Sequence, residues 1–348
     1  MTAVCVIVPP LPTLRVVVGG VDGRGDVDGR TGLSGEAIAF FKQNGYLLLP
    51  GAVADELCDR AVDLLWSRLP TGSDMRRDDP ATQVGPFSEH DFEEGRHNSR
   101  RGFRWNLREI ASVPLLTDMA YSQRLCTVVE HLLGSGMLRR PIVDGKPVGG
   151  VGFDWGAGSP ELSMDTTGVR GIYCTLPYRD KAPEPDGIHA DAHPFHLGMV
   201  ALLEDVEPEG GAFKVWPGSH RRLYPTFYRQ YDTPRVLAYD HLPGDEGLLH
   251  SPEYHAEIER IRDDTPPVDC WGERGDVVLW HHRLAHATGA NNRDRMRIAL
   301  LADYIRTDLD VTRKDPPQPD MWRDWSEALQ ASEGSYSPQF ASEQRLVG

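Results

Sequence analysis

Apolar and polar positions along the first third of this 348-residue chain recur at helical spacing. Residues 35–44 carry such an apolar stripe, and they are preceded by Ser34, a residue type that caps helix N-termini. Gly45 directly follows them, and glycine commonly ends helices. The pattern therefore predicts a helix over residues 35–44 and, after it, a short apolar strand over residues 46–49.

Two further helical patterns are separated by a polar stretch. The first runs from Ala54 to about Leu69, and the second covers residues 113–133. Residues 70–105 between them are rich in Gly, Asp, Arg and Pro, and a loop of this length is usually functional or disordered. The basic and aromatic side chains of residues 100–105 predict either a solvated loop or a lid that recognises an anionic, carboxylate-bearing substrate.

From Ile142 onward the pattern changes to short apolar strands separated by Gly and Pro, which is typical of a jelly roll. The predicted strands are residues 171–176, 196–203, 212–216, 276–280 and 297–304. We expect a mainly β fold, with a double-stranded β-helix (jelly-roll or cupin-like) core and flanking α-helices.

The same pattern predicts how the chain is organised. Residues 1–32 are expected to form a loose N-terminal leader, and residues 33–348 a single domain. Within that domain the jelly-roll core is predicted at about residues 142–306, and a C-terminal helical extension over residues 307–348.

Composition restricts which partners we expect and which cellular compartment we predict. The formal net charge of −15 argues against nucleic acid or an anionic membrane as a partner. The cysteines are scattered without a C-x-x-C pair: Cys5, Cys58, Cys126, Cys174 and Cys270. Together with the absence of a signal-peptide pattern and of a long apolar run, this predicts a cytoplasmic protein without a disulfide framework.

The most informative chemistry is His189-Ala190-Asp191, followed much later by His286. Two imidazoles and one carboxylate form one face of an octahedron around ferrous iron and leave the opposite face open. A lone H-x-D is common by chance, so the assignment depends on what accompanies it. Other histidines crowd the same regions and leave a different pairing open: His193, His196, His281 and His282.

The residues after His286 strengthen the prediction of an iron site. Thr288 places a hydroxyl two positions on, a Gly/Asn turn follows, and Arg297 opens an apolar run eleven positions after the histidine. A hairpin would bring Arg297 back alongside His286. An arginine fork beside an iron can hold a dicarboxylate through two parallel hydrogen bonds, and Thr288 can add a third.

Several segments taken together resemble one known family. They are HAD at 189–191, EPEGGAFKVWPGSH at 207–220, GDVVLW at 275–280, the segment from 286 to 297, and FKQNGYLLLPG at 41–51. Over residues 34–306 the chain resembles the phytanoyl-CoA dioxygenase (PhyH-like) branch of the Fe(II)/2-oxoglutarate-dependent oxygenases. It departs from the family pattern at Gly210, where the family's P-G-S-H block begins with Asn.

The resemblance implies both a cofactor set and a function. His189, Asp191 and His286 would bind Fe(II), and Arg297 with Thr288 would hold the co-substrate 2-oxoglutarate. Tyr173 lies on a strand where the family often places a further co-substrate contact. With O2, such an enzyme would hydroxylate or otherwise oxidise a small-molecule substrate, and specialised-metabolite biosynthesis is one setting for that chemistry. Because the Asp191 carboxylate is retained, halogenation is disfavoured.

Two other function classes stay open at this point. One is a metal-cupin dioxygenase or isomerase that uses no keto acid, against which Arg297 argues. The other is a non-catalytic jelly-roll binding protein with a vestigial triad, against which the complete ligand set argues. The expected partner is a small molecule, and homo-oligomer formation also stays open.

Overall fold

The structure is a computed structural model of the chain. It describes residues 32–88, 98–111, 113–143, 146–147, 168–179, 187–191, 195–227, 251–312 and 315–333. The predicted N-terminal leader therefore lies outside the described residues, apart from Gly32, as does His193.

The strands, in chain order, are β1 (Tyr46–Leu49), β2 (Asn98–Arg101), β3 (Arg104–Leu107), β4 (Ile142–Val143), β5 (Lys146–Pro147), β6 (Val169–Thr175), β7 (Leu197–Leu202), β8 (Phe213–Val215), β9 (Val268–Cys270), β10 (Val277–His281), β11 (His286–Thr288) and β12 (Arg297–Tyr304). The helices are α1 (Gly35–Asn44), α2 (Asp55–Trp66), α3 (Pro114–Ala120), α4 (Gln123–Leu133), α5 (Ser219–Leu223), α6 (Pro252–Asp264), α7 (Leu309–Thr312) and α8 (Glu327–Ala331).

Local sequence signals determine the first helix, as predicted. The Ser34 side chain accepts a hydrogen bond from the Ala37 N–H, and this satisfies one of the free donors of the first turn. At the other end Gly45 adopts φ 82°, and its N–H donates to the Phe41 carbonyl. The chain then enters β1, whose four residues are all buried.

Two antiparallel sheets form the core of the fold. The large sheet has the strand order β1-β10-β7-β12-β6-β3-β2, and the small sheet the order β11-β8-β9. An isolated bridge between His189 and His286 adds the segment around His189 beside β11. The non-sequential strand order and the two facing sheets agree with the predicted jelly roll, and the helices flank it.

The outer face of the small sheet is covered by α5 and α6. A hydrophobic cluster fills the space between them: Ile188, Ala190, Trp216, Leu223, Phe227, Tyr254, Ile258, Ile261, Ala285 and Ala287. Since successive side chains of an extended segment point to opposite faces, the residues between these apolar ones must point into the barrel.

The C-terminal segment packs back onto the N-terminal helix. Trp322 and Trp325 are 5% exposed and both contact the Phe41 ring, at 6.1 Å between ring centroids. The Lys42 Nζ donates to the carbonyl of Gln330, at 2.9 Å. The two tryptophans are thus part of the core of this chain.

Two expectations about loops were wrong. Residues 70–105 are not one long loop, because β2 and β3 pair as a hairpin that extends the large sheet next to β6. The segment from His286 to Arg297 is not a hairpin either, because β11 pairs with β8 and β12 pairs with β6 and β7. Pairing between distant segments decided both cases.

The described cysteines, Cys58, Cys126, Cys174 and Cys270, are buried free thiols. Burial raises the pKa of Cys58 and of Cys126 to about 11, so both thiols stay protonated near neutral pH. No helix in the described part of the chain combines the length and the apolar character that crossing a bilayer requires.

Candidate metal centre and co-substrate pocket

Strand alternation delivers three candidate ligands to one point inside the barrel. Ile188 and Ala190 face the helix side, so His189 and Asp191 face the interior. His286 lies between the outward-facing Ala285 and Ala287, and so it also faces inward. The backbones of His189 and His286 exchange two hydrogen bonds, at 3.0 and 2.8 Å, which fix the two rings side by side.

The orientation of both imidazoles is set by backbone carbonyls. The Nδ1 of His189 is 2.6 Å from the carbonyl of Gly187, and the Nδ1 of His286 is 2.9 Å from that of Leu284. A carbonyl can only accept, so each Nδ1 carries a proton, and in the neutral form of each ring Nε2 is the atom that offers a lone pair. Metal-binding histidines are commonly held by such a second hydrogen bond.

The distances suit one metal ion. The His189 Nε2 lies 3.7 Å from the Asp191 Oδ1, and the His286 Nε2 lies 3.8 Å from the Asp191 Oδ2. One ligand atom from each residue falls within 4.8 Å of the others. Ligand atoms about 2.0–2.2 Å from a shared ion lie within roughly 4.4 Å of one another, so small adjustments suffice.

Burial differs among the three ligands in a way that leaves an open side. The side chains of Asp191 and His286 are 9% and 6% exposed, whereas that of His189 is 48% exposed. Burial lowers the pKa of His286 to about 4, so this imidazole is neutral near pH 7, as a ligand must be.

A buried arginine holds the candidate carboxylate ligand. The Arg170 Nη2 donates to Asp191 at 2.8 Å, and the Arg170 guanidinium also forms a two-point ion pair with Asp303, at 2.7 and 2.8 Å. Asp303 accepts with both oxygens, which fixes the plane of the guanidinium. The contact restrains Asp191 from the side of the large sheet.

A register irregularity brings Arg170 to the interior. The pairing of β12 with β6 shifts between Leu301 and Ala302, where Gly171 lies opposite Leu301 with φ 108°. A β-carbon on Gly171 would lie 2.2 Å from the carbonyl oxygen of Leu107, so only glycine fits there. The extra residue in β6 lets Arg170 and Tyr173 line the same cavity.

Arg297, Thr288 and Tyr173 line this cavity of about 420 Å³ together with the three candidate ligands. The Arg297 guanidinium donates to the carbonyls of Gly211 and Tyr173, at 2.9 and 3.1 Å. Its other N–H groups have no protein acceptor among the described residues. Burial lowers the pKa of Arg297 to about 10, so it remains a cation at neutral pH.

The other described histidines of these regions lie apart from the candidate ligands. His196, His281 and His282 are at most 2% exposed. The His281 ring stacks on Trp325 at 5.0 Å, and the His196 Nδ1 accepts from the Arg306 N–H. Burial lowers the pKa of all three, so they are neutral members of the core.

Sequence reasoning missed three residues that shape the site. Arg170 and Asp303 restrain Asp191, and Tyr254 on α6 accepts the Ala190 N–H at 2.7 Å. The sequence did carry a signal for Arg170 and Asp303, because each places a charge within a mostly apolar strand. Burying such charges is costly unless they pair. No comparable signal pointed to Tyr254.

Comparisons with known proteins give matches over most of the chain. A model of the phytanoyl-CoA dioxygenase (PhyH) family matches residues 41–299. A probable phytanoyl-CoA dioxygenase of Caenorhabditis elegans is 22% identical over 315 residues, which is 82% of this chain and 81% of that protein.

Solved structures of similar fold include EctD from S. alaskensis with bound Fe. It is 16% identical with a TM-score of 0.46, and the match covers 89% of this chain and 87% of that one. The non-heme alpha ketoglutarate dependent epimerase SnoN from nogalamycin biosynthesis is also 16% identical, with a TM-score of 0.44 and coverage of 83% and 96%.

A jelly roll that gathers two histidines and one carboxylate beside a buried arginine defines a non-heme iron enzyme of the 2-oxoglutarate class. The chain belongs to the phytanoyl-CoA dioxygenase (PhyH) family. It is therefore an Fe(II)/2-oxoglutarate-dependent oxygenase, with O2 as the second co-substrate.

Proposed function

We propose that His189, Asp191 and His286 bind the Fe(II) ion. The observation that carries this proposal is the convergence of their ligand atoms within 4.8 Å, in a cavity that Arg297 also lines. The Nδ1 hydrogen bonds aim both Nε2 lone pairs at one point, and Arg170 holds the carboxylate. The exposed face of His189 leaves room for further iron ligands on the cavity side.

Arg297 and Thr288 hold the far carboxylate of 2-oxoglutarate in this proposal. Arg297 offers the N–H groups that the protein does not use, and Thr288 offers a hydroxyl from the opposite sheet. The Tyr173 hydroxyl accepts from Arg108 Nε at 2.7 Å, which leaves its own proton to donate to the co-substrate.

When bound, Fe(II) and 2-oxoglutarate supply O2 activation, with decarboxylation to succinate coupled to oxidation of a substrate. The protein positions the co-substrate and surrounds the reacting groups with the apolar side chains of Phe213, Trp280 and Leu301. We propose hydroxylation of a small molecule as the reaction. Desaturation, epoxidation, ring formation and epimerisation use the same ligand set and would be distinguished by their products.

We place this reaction in the cytoplasm, since buried free thiols and ferrous iron both suit a reducing compartment. We also propose that residues 33–348 form a single domain. The contact of Lys42 in α1 with Gln330 in α8 supports this, because it joins the two ends of the described chain.

The test is succinate formation by the chain reconstituted anaerobically with Fe(II), then given 2-oxoglutarate and O2 with a panel of small molecules. Succinate that requires iron and increases with one candidate, together with a product that gains one oxygen atom, would support hydroxylation. Oxidation of a candidate without 2-oxoglutarate would instead favour a keto-acid-independent dioxygenase.

A further inference from the structure

Thr175 lies next to Arg297 on the large-sheet wall of the cavity. In the registers of β3, β6 and β12, Arg104 lies opposite Thr175, and Thr175 lies opposite Arg297. Side chains directly opposite each other on antiparallel strands share one face, with their β-carbons about 4.5–5.5 Å apart. Thr175 is therefore the cross-strand neighbour of the arginine assigned to 2-oxoglutarate, and it lines the same cavity.

Gly211 lies against both Thr175 and Arg297. Its carbonyl accepts a hydrogen bond from the Arg297 Nε at 2.9 Å. A β-carbon on Gly211 would lie 3.1 Å from both the Cβ and the Cγ2 of Thr175, which is closer than such atoms usually approach. Gly211 also adopts φ 77°, a conformation that favours glycine. The Thr175 side chain and the Arg297 guanidinium therefore meet at one backbone residue that carries no side chain of its own.

The hydroxyl of Thr175 is buried and makes no hydrogen bond within the described part of the chain. The residue is 2% exposed, and its Oγ1 has no donor or acceptor within reach among the described residues. Its backbone is held in place, because the Asn291 Nδ2 donates to the Thr175 carbonyl at 2.9 Å. Leaving a buried hydroxyl unpaired is unfavourable. An unpaired hydroxyl on a residue that lines a binding cavity indicates a ligand that supplies the missing partner.

The far carboxylate of 2-oxoglutarate has the acceptor capacity that this hydroxyl needs. An ionised carboxylate has two oxygens, which together accept about four hydrogen bonds. Arg297 offers the N–H groups that its two backbone contacts leave unused, and Thr288 offers a hydroxyl from the small sheet. A further donor from the large sheet can thus be accepted. Rotation about the Cα–Cβ bond of Thr175 moves its hydroxyl between staggered positions, so it can turn toward a carboxylate bound at Arg297.

We propose that the Thr175 hydroxyl donates a hydrogen bond to the far carboxylate of 2-oxoglutarate, so that this carboxylate lies at Arg297 between one threonine of each sheet. The inference rests on the proposed function, because it takes Arg297 and Thr288 as the co-substrate contacts. Since the hydroxyl has no partner among the described residues, its hydrogen bond forms only when the ligand is bound. Its contribution therefore appears in the affinity for 2-oxoglutarate and not in the stability of the ligand-free chain.

The test compares Thr175→Val with Thr175→Ser in the full chain loaded with redox-inert Zn(II). Valine keeps the branched shape and loses the hydroxyl, so Thr175→Val is expected to raise the dissociation constant of 2-oxoglutarate by about tenfold or more. Serine keeps the hydroxyl, so Thr175→Ser should bind 2-oxoglutarate nearly as tightly as the unmodified chain. Isothermal titration calorimetry measures the three dissociation constants.

Thr117→Val is the matched control. Thr117 on α3 is also a buried threonine whose hydroxyl is unpaired among the described residues, and it does not line the cavity. Both valine variants remove an unpaired buried hydroxyl, so the urea midpoints of the ligand-free chains should stay the same or rise. Only Thr175→Val should weaken 2-oxoglutarate binding. Lower affinity without lower stability distinguishes a lost ligand contact from damage to the fold.

The keto acid 2-oxobutanoate locates the contact within the co-substrate. It keeps the keto acid end that chelates the metal and lacks the far carboxylate. Its affinity, measured by NMR titration, should therefore be the same in the unmodified chain and in Thr175→Val. An equal loss of affinity for both keto acids in Thr175→Val would place the hydroxyl at the metal-chelating end and overturn the assignment.

The outcomes separate this inference from the proposed function. An unmodified chain that binds neither metal nor 2-oxoglutarate would overturn the proposed function itself. A chain that binds both, with 2-oxoglutarate affinity unchanged in Thr175→Val or lowered equally in Thr117→Val, would overturn the role of Thr175 alone. A large fall in the urea midpoint of ligand-free Thr175→Val would also overturn it, by showing that the hydroxyl stabilises the fold.

Discussion

The two sheets that face each other across the cavity contribute different chemistry. The small sheet and its bridged segment present His189 and His286, whose Nδ1 hydrogen bonds aim both Nε2 atoms at one point. The large sheet presents arginines, among them Arg104 and Arg297, in a row across neighbouring strands. The proposed metal ligands thus come from two short segments, residues 189–191 and His286, whereas the arginine row depends on the register of strands distant in sequence.

A contact between Arg170 and Asp191 joins the two walls. Arg170, from the large sheet, donates to Asp191, the third proposed ligand beside His189 and His286. If the division between the walls is correct, changes to the histidines of the small-sheet wall affect iron, and a change to Arg297 of the large-sheet wall affects 2-oxoglutarate and not iron. Changes at Arg170 should then affect iron from the opposite side.

The largest effect is expected from removing a ligand of the small-sheet wall. His189→Ala should lose iron binding, and with it succinate formation should fall to background, because two ligands no longer complete the facial group. Iron content per chain after anaerobic reconstitution measures the effect. His255→Ala, which changes an exposed histidine on α6, is the control and should retain iron. Full iron content in His189→Ala would break the assignment.

Arg297→Lys on the large-sheet wall should raise the KM for 2-oxoglutarate by roughly 30-fold or more while iron content stays the same. Lysine keeps the charge but loses the planar fork that grips a carboxylate at two points. Steady-state kinetics at varied 2-oxoglutarate concentration measures the change. An unchanged KM would mean that Arg297 is not the carboxylate clamp.

A smaller effect is expected at the contact between the walls. Arg170→Gln should weaken iron binding by roughly 10- to 100-fold, as is typical when the partner of a metal ligand is removed. Metal titration measures it, with Arg222→Gln, which breaks a surface ion-pair network, as the control. Arg170→Gln alone leaves the buried Asp303 carboxylate without its cation. The double variant Arg170→Gln with Asp303→Asn removes this carboxylate charge as well, and so tests whether the loss of iron affinity persists without it. Iron affinity equal to that of the unmodified chain in both folded variants would contradict the positioning role.

Two buried histidines outside the cavity should make the stability of the fold depend on pH. Burial lowers the pKa of His196 and of His220 to about 3, below the value of about 6.5 expected for an unfolded chain. The unfolded state then binds more protons than the folded state. The contribution of each histidine to the free energy of unfolding is therefore fully present above about pH 6.5, and it falls by up to about 1.4 kcal/mol per pH unit as the pH falls toward 3.

Urea midpoints of the metal-free chain between about pH 7 and about pH 5 measure this loss. His196→Gln should reduce the slope by up to one proton, whereas a His255→Gln control should leave it unchanged. Equal slopes in His196→Gln and the unmodified chain would contradict the assignment of His196 as a buried neutral residue.

The predictions that were confirmed rested on signals in short stretches of sequence. Ser34 and Gly45 set the bounds of α1 as predicted, and the apolar run after Arg297 forms the predicted strand Arg297–Tyr304. The H-x-D segment and His286 lie together as proposed from the sequence. In each case the residues that determine the feature are close in the chain or have few alternative partners.

Features that depend on distant pairing were not readable from the sequence. The polar strands β2 and β3 resembled a loop, because an edge hairpin needs little apolar sequence when a neighbouring strand pairs with it. The ion pair of Arg170 with Asp303 depends on the register shift at Gly171, which no local pattern encodes. For the same reason the arginine row became evident only once β3, β6 and β12 were aligned.

The most direct test of the two-wall account is to measure iron content and 2-oxoglutarate binding in the same samples of the unmodified chain, His189→Ala and Arg297→Lys. The account predicts that His189→Ala loses iron, and that Arg297→Lys keeps iron and binds 2-oxoglutarate weakly. Loss of iron in a folded Arg297→Lys chain, or unchanged 2-oxoglutarate affinity in that variant, would contradict it.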